Sequence, residues 1–122
     1  MNSAVERGKR GEREIARIIE DLSGWRVRRR LQQGRVDDAG DLEGLPGPTT
    51  AQVKNYRDIA RGLREAMAAL PTQQAIAGSR YGVCFLRRPG GKWVACMDVS
   101  QFIELLREAT DPDSDDQENN EP

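Results

Sequence analysis

At 122 residues the chain is long enough for one domain with a core of its own, without disulfide or metal staples. It contains no histidine, which excludes Ser-His-Asp and Cys-His catalysis and leaves carboxylates, lysine, hydroxyls or a hard metal. The formal charge of −1 hides two unequal parts: "DPDSDDQENNEP" at 111–122 holds six acids and no base, and without it 19 bases stand against 14 acids.

No apolar run approaches the length of a membrane span, and the opening "MNSAVERGKRGEREIARIIE" lacks a signal-peptide core and is too acidic for a transit peptide. A cytoplasmic protein is expected. Cys84 and Cys96 sit within apolar runs and fit no zinc or redox spacing, so they read as small buried hydrophobes. The acidic stretch has no apolar residue to bury. The expected organisation is one domain over 1–109 followed by a disordered acidic tail over 110–122.

In chain order, residues 6–23 read as a helix, with Ile15, Ile18, Ile19 and Leu22 on one buried stripe and Ser23-Gly24 ending it. "WRVRRR" at 25–30 alternates Trp25, Val27 and Arg29 against arginines and reads as a strand. "LQQGRVDDAG" at 31–40 is polar and reads as a loop, with Asp37 and Asp38 assigned to solvation only. Residues 41–45 and 49–54 form two strands joined by the turn-forming "PGP". Ile59, Leu63, Ala66, Met67 and Leu70 mark a second amphipathic helix, broken at Pro71. "YGVCFLRR" and "KWVACMDVS" flank "PGG" as a hairpin, and "SQFIELLREA" is a last helix that Ser100 caps. The order α-β-β-β-α-β-β-α predicts an α/β domain, a mixed sheet flanked by helices.

The chemistry converges on the two central strands. Side chains alternate along a strand, so Gln52 and Lys54 share one face and Ala51 and Val53 the other. A turn at Pro46–Pro48 brings Asp41 back beside residues 52–54. An acid, an amide oxygen and an ammonium at one point suit a hard divalent cation such as Mg²⁺ and a lysine that orients water or stabilises a phosphoryl oxygen.

Here the chain resembles the PD-(D/E)XK nucleases, and among them the archaeal-type Holliday junction resolvases. Their pattern is a Gly-x-x-x-Glu-Arg-Glu helix, an aspartate at a strand start and Glu-x-Lys on the next strand. This chain has Gly8-Lys9-Arg10-Gly11-Glu12-Arg13-Glu14, then Asp41, then Gln52-Val53-Lys54. The likeness spans roughly residues 7–105. It implies a restriction-endonuclease-like fold with Asp41 as central metal ligand and Glu12 as a metal-proximal acid from the first helix. Gln52 then takes the place of the second metal carboxylate, and Lys54 is the catalytic lysine. Gln52 departs from the pattern: an amide oxygen can ligate a metal but brings no charge, which Glu12 or Glu43 would have to supply.

The bases bracket this site in sequence. Arg7, Lys9, Arg10 and Arg13 open the chain, Arg28 and Arg30 lie in the arginine-rich strand, and Arg57 and Arg61 follow the lysine. Arginine favours bidentate phosphate contacts and counterion release on DNA. No zinc finger or stacking pair for reading bases is visible, which fits shape recognition of a branched duplex. The resemblance implies a homodimeric, Mg²⁺-dependent endonuclease, with Mn²⁺ able to substitute, that resolves four-way DNA junctions. Two alternatives stand beside it: a related nuclease for flaps, nicks or single strands, and a DNA-binding module that kept the fold and lost catalysis.

Overall fold

A computed structural model describes residues 3–31 and 38–111. The expectations for Asp37, for most of the 31–40 loop and for the acidic tail beyond 111 lie outside the described residues. Eight elements follow one another: α1 (Ser3–Ser23), β1 (Arg28–Arg29), β2 (Leu42–Glu43), β3 (Thr49–Lys54), α2 (Ile59–Ala77), β4 (Tyr81–Arg88), β5 (Lys92–Cys96) and α3 (Val99–Thr110). The predicted order of helices and strands is the observed one.

β3 pairs with β4 in parallel and β4 with β5 antiparallel, giving a three-stranded mixed sheet flanked by helices. β1 and β2 form a separate antiparallel pair, with Arg28 opposite Glu43 and Arg29 opposite Leu42. Arg30 N donates to Asp41 O at 2.8 Å, one step beyond that pair, and Asp41 N donates to Ala51 O at 2.7 Å, tying it to β3.

The alternation of β3 divides the core. Ala51 and Val53, with Val83 of β4, pack on Ile15, Ala16 and Ile19 of α1 and on Val27 and Leu42. On the opposite face Cys84 and Leu86 pack against Ala66 and Leu70 of α2. Cys84 behaves as the buried hydrophobe expected, its thiol pushed up to about 12 chiefly by burial, while Cys96 is only half-buried. Among the described residues no helix is long and apolar enough to cross a membrane.

Four local expectations need correcting. Leu22 does not join the buried stripe of α1: it is 84% exposed, since the last buried residue of the helix is Ile19 and the final turn overhangs the core. The expected strand over 25–30 is reduced to two residues, because only 28–29 find a partner in β2, and Trp25 stays half-exposed. Asp98, rather than Ser100, caps α3, its carboxylate accepting from Ser100 N at 2.9 Å. Pro71 does not break α2. Proline lacks an N–H and crowds the carbonyl four residues back; here its ring is exposed while Leu70 and Gln73, buried on either side of it, hold both halves on the sheet.

Candidate functional site

The site begins at a glycine. Gly40 has φ +103, and a Cβ there would lie 2.9 Å from Ala51 O and from Thr50 Cγ2, so only glycine lets the chain turn this close to β3. The turn is held by Asp38, whose Oδ1 accepts from Gly40 N at 3.0 Å. Asp41 follows directly, and its Oδ2 accepts from Val53 N at 2.8 Å. The side chain thus takes a backbone amide of β3, which locks the carboxylate against the strand.

From there the expected residues come together. Glu12, Asp41, Gln52 and Lys54 line one cavity of about 370 Å³, with Arg7, Asn55 and Tyr56 at its other wall. Glu12 reaches it from the middle of α1, its Oε1 accepting from Arg29 Nε at 2.8 Å. Gly11 beside it lets α1 approach the end of β3, since a Cβ there would meet Asn55 Cβ at 2.9 Å. Gln52 is only 5% exposed, and no hydrogen bond to its side chain is present among the described residues. Lys54 lies with Nζ 5.2 Å from the Tyr56 ring centre and donates to Tyr56 Oη at 3.4 Å; that hydroxyl in turn donates to Glu65 Oε1 at 2.6 Å. The ammonium is therefore steered from below by an aromatic face and a distant carboxylate.

Two side chains set aside or missed by sequence reasoning belong here. Asp38 lines the same cavity, and its Oδ2 accepts from Gln73 Nε2 at 2.6 Å. Gln73 is 4% exposed and sits beyond Pro71, so the unbroken α2 is what brings it to the site. The reading of Asp38 as a solvated loop residue is thereby corrected. Its one legible signal is Asp-x-Gly, the pattern of a turn in which the aspartate bonds the backbone two residues on. Glu43, by contrast, is exposed on β2 and does not line the cavity, so Asp38 rather than Glu43 is the additional acid.

The carboxylates are crowded. Burial, more than any neighbour, raises the pKa of Asp41; Asp38 adds to the rise, while the Val53 amide, Lys54 and Arg29 oppose it. Burial likewise raises Glu12, with the charge of Asp41 next and the Arg29 guanidinium working against both. Both rises come chiefly from burial, and a cation bound beside these carboxyls would favour their charged forms. Among the described residues no group of three acidic, cysteine or histidine side chains is set to hold a metal ion. Mg²⁺, however, is usually held by one or two carboxylates, with substrate phosphate and water completing its octahedron. Asp41, Glu12 and the amide oxygen of Gln52 fit that donor set.

No family model, no curated protein and no solved structure matches this chain.

The bases sort into two groups. Arg28 is engaged by Glu20 at 3.2 Å and Arg61 by Glu65 at 2.9 Å. Arg13 and Arg28 line a separate hollow on the other side of α1, and Lys9 and Arg30 are half-buried. Arg7, Arg10 and Arg57 instead line a second cavity that shares Arg7, Asn55 and Tyr56 with the acidic one.

Proposed function

We propose that this protein is a Mg²⁺-dependent endonuclease of restriction-endonuclease-like fold that hydrolyses phosphodiesters in branched DNA, foremost four-way junctions. The observation that carries the reading is the meeting of Glu12 of α1, Asp41 of the loop before β2, and Gln52 and Lys54 of β3 on one cavity that adjoins an arginine-lined cleft. A helix acid, a loop acid and a strand lysine meeting in one place support the reading beyond the short motif itself.

In this reading Asp41 and Glu12 hold the divalent ion, Mg²⁺ or Mn²⁺, together with the Gln52 amide oxygen. When bound, the ion polarises the phosphoryl group and stabilises the negative charge that develops on it. Asp41 is fixed for that task by Val53 N, so its orientation costs nothing at the moment of reaction. Lys54 faces the same space. Its ammonium orients the attacking water and offsets charge on a phosphoryl oxygen, and Tyr56 limits where it can swing. Arg7 at the cavity rim holds a neighbouring phosphate. Two symmetric cuts in a junction need two such sites, hence a homodimer.

Gln52 favours one other reading, a DNA-binding module without catalysis, because the position lacks the charge of a metal carboxylate. Labelled four-way junction, flap, nicked duplex, linear duplex and single strand, incubated with Mg²⁺, Mn²⁺ or EDTA, separate these. Divalent-dependent cutting of the junction by the parent and not by Lys54→Ala supports the nuclease. Tight junction binding with no cutting in either metal supports the binding module, and preferred cutting of another substrate moves the specificity.

A further inference from the structure

We propose that the cleft beside the acidic cavity is a groove for the nucleic-acid backbone, completed by Arg87 and Arg88 of the β4–β5 hairpin, with Glu14 as the residue that positions Arg87. Neither hairpin arginine stands out in the sequence, where they follow an apolar strand. The identity of the ligand as nucleic acid rests on the phosphodiester reading above; the groove itself rests on geometry and charge.

The cleft has a volume of about 510 Å³ and is lined by Arg7, Arg10, Arg57, Arg87 and Arg88 against a single acid, Glu14. It shares Arg7, Asn55 and Tyr56 with the acidic cavity, so the two lie side by side, within reach of neighbouring phosphates of one chain. Arg7, Arg10, Arg57 and Arg88 have no ion-pair partner among the described residues, unlike Arg28 and Arg61. Five guanidinium groups concentrated around one carboxylate repel one another, and a polyanion relieves that repulsion.

Glu14 does not act as a counter-charge for the whole cleft. Its Oε1 accepts both from Trp93 Nε1 at 2.6 Å and from Arg87 Nε at 2.9 Å. These two bonds, Trp93 first, lower the pKa of its carboxyl. Gripped at Nε by a residue of α1, Arg87 is held across the hairpin with its terminal nitrogens outside that bond. This is the side-on arrangement that leaves the guanidinium fork for a phosphate. Trp93 of β5 anchors Glu14 in turn, so three elements fix one arginine.

The positioning role and a plain charge role predict opposite signs. Removing an acid from a basic cleft should strengthen binding of a polyanion if only charge matters. If Glu14 positions Arg87, Glu14→Ala should weaken binding, Glu14→Gln should retain most of it, and Glu14→Ala should add little on top of Arg87→Ala.

The test is fluorescence anisotropy of the full-length protein on a labelled four-way junction and a labelled duplex, titrated from low to high KCl in EDTA. Without a divalent ion nothing is cut, so the result is independent of whether the protein is a nuclease. Arg87→Ala and Arg88→Ala should each reduce the slope of log K against log salt by about 0.9, the value for one lost phosphate contact. Arg28→Ala should leave the slope where it was. Thermal melts establish that each variant is folded, and Glu14→Gln keeps the positioning claim testable if Glu14→Ala is not. Unchanged slopes for Arg87→Ala and Arg88→Ala, or stronger binding by Glu14→Ala, overturn the proposal. Binding of a mononucleotide as tight as that of the duplex, with the same dependence on Arg87, overturns the backbone groove in favour of a small phosphate ligand.

Discussion

Asp41→Asn should make the metal-free protein more stable at neutral pH while destroying its response to Mg²⁺. Asn keeps the volume, and its Oδ1 can still accept from Val53 N, the 2.8 Å bond that locks the native side chain. What it removes is a buried charge. The pKa of Asp41 is raised because burial outweighs the Val53 bond and the attraction of Lys54 and Arg29, so ionisation of this group works against folding. The stabilising contribution of the protonated acid is complete below the ordinary aspartate range, about 4, and is lost as pH rises through the higher folded value. Asn cannot ionise and suffers no such loss. The two proteins should therefore melt together in acid and separate as pH rises to 7. Burial of an ion costs several kcal/mol, and the bond and charges around Asp41 return most of it, leaving a gain on the order of 1 kcal/mol. For a domain of this size that is roughly 4 °C in Tm. Mg²⁺ reverses the ranking: at ten times its Kd it stabilises the parent by about 1.4 kcal/mol and the variant hardly at all. Differential scanning calorimetry from pH 4 to 8, with and without Mg²⁺, reads both effects. An Asn variant less stable than the parent at pH 7 without metal, or one that gains as much from Mg²⁺, would refute the assignment.

Lys54→Ala should lower junction cleavage by about 10²- to 10⁴-fold, the range for a positioned acid–base group, with junction affinity held within a few-fold; cleavage at the parent rate would end the catalytic role of the lysine. Gln52→Glu adds a charge where the nuclease reading puts the second metal carboxylate. The Mg²⁺ needed for half-maximal cleavage should fall about tenfold, or roughly 1.4 kcal/mol, most clearly toward higher pH, since burial raises the pKa of both Asp41 and Glu12; superimposed Mg²⁺ curves would remove Gln52 from the site. Gly40→Ala forces a side chain into a φ of +103 and against Ala51 O, so it should cost about 1–3 kcal/mol of stability. It should also displace Asp41 and raise the Mg²⁺ requirement, and a variant that melts and cuts like the parent would show that the turn is not what sets the aspartate.

Local chemistry is what the sequence determined about this protein. The order of eight elements follows from hydrophobic period and turn residues, because period 3.6 and period 2 are properties of neighbouring residues. The placement of Gln52 and Lys54 on one face of β3 follows from the same alternation, and the Gly-Pro-rich turn between β2 and β3 explains why Asp41 returns to that strand. Tertiary structure alone decided what meets what across long separations. Glu14 finds Arg87 and Trp93, 73 and 79 residues away, and Asp38 finds Gln73, 35 residues away. Nothing local marks these residues, since a helix glutamate or a glutamine in an amphipathic stripe has the same propensity whether or not a partner lies opposite. Pro71 makes the same point for the backbone. Its local preference is to end α2, and burial of Leu70 and Gln73 on either side of it overrides that preference, because many packing contacts outweigh one missing hydrogen bond. Which arginines pair with protein carboxylates and which line the open cleft was likewise decided only when the chain folded.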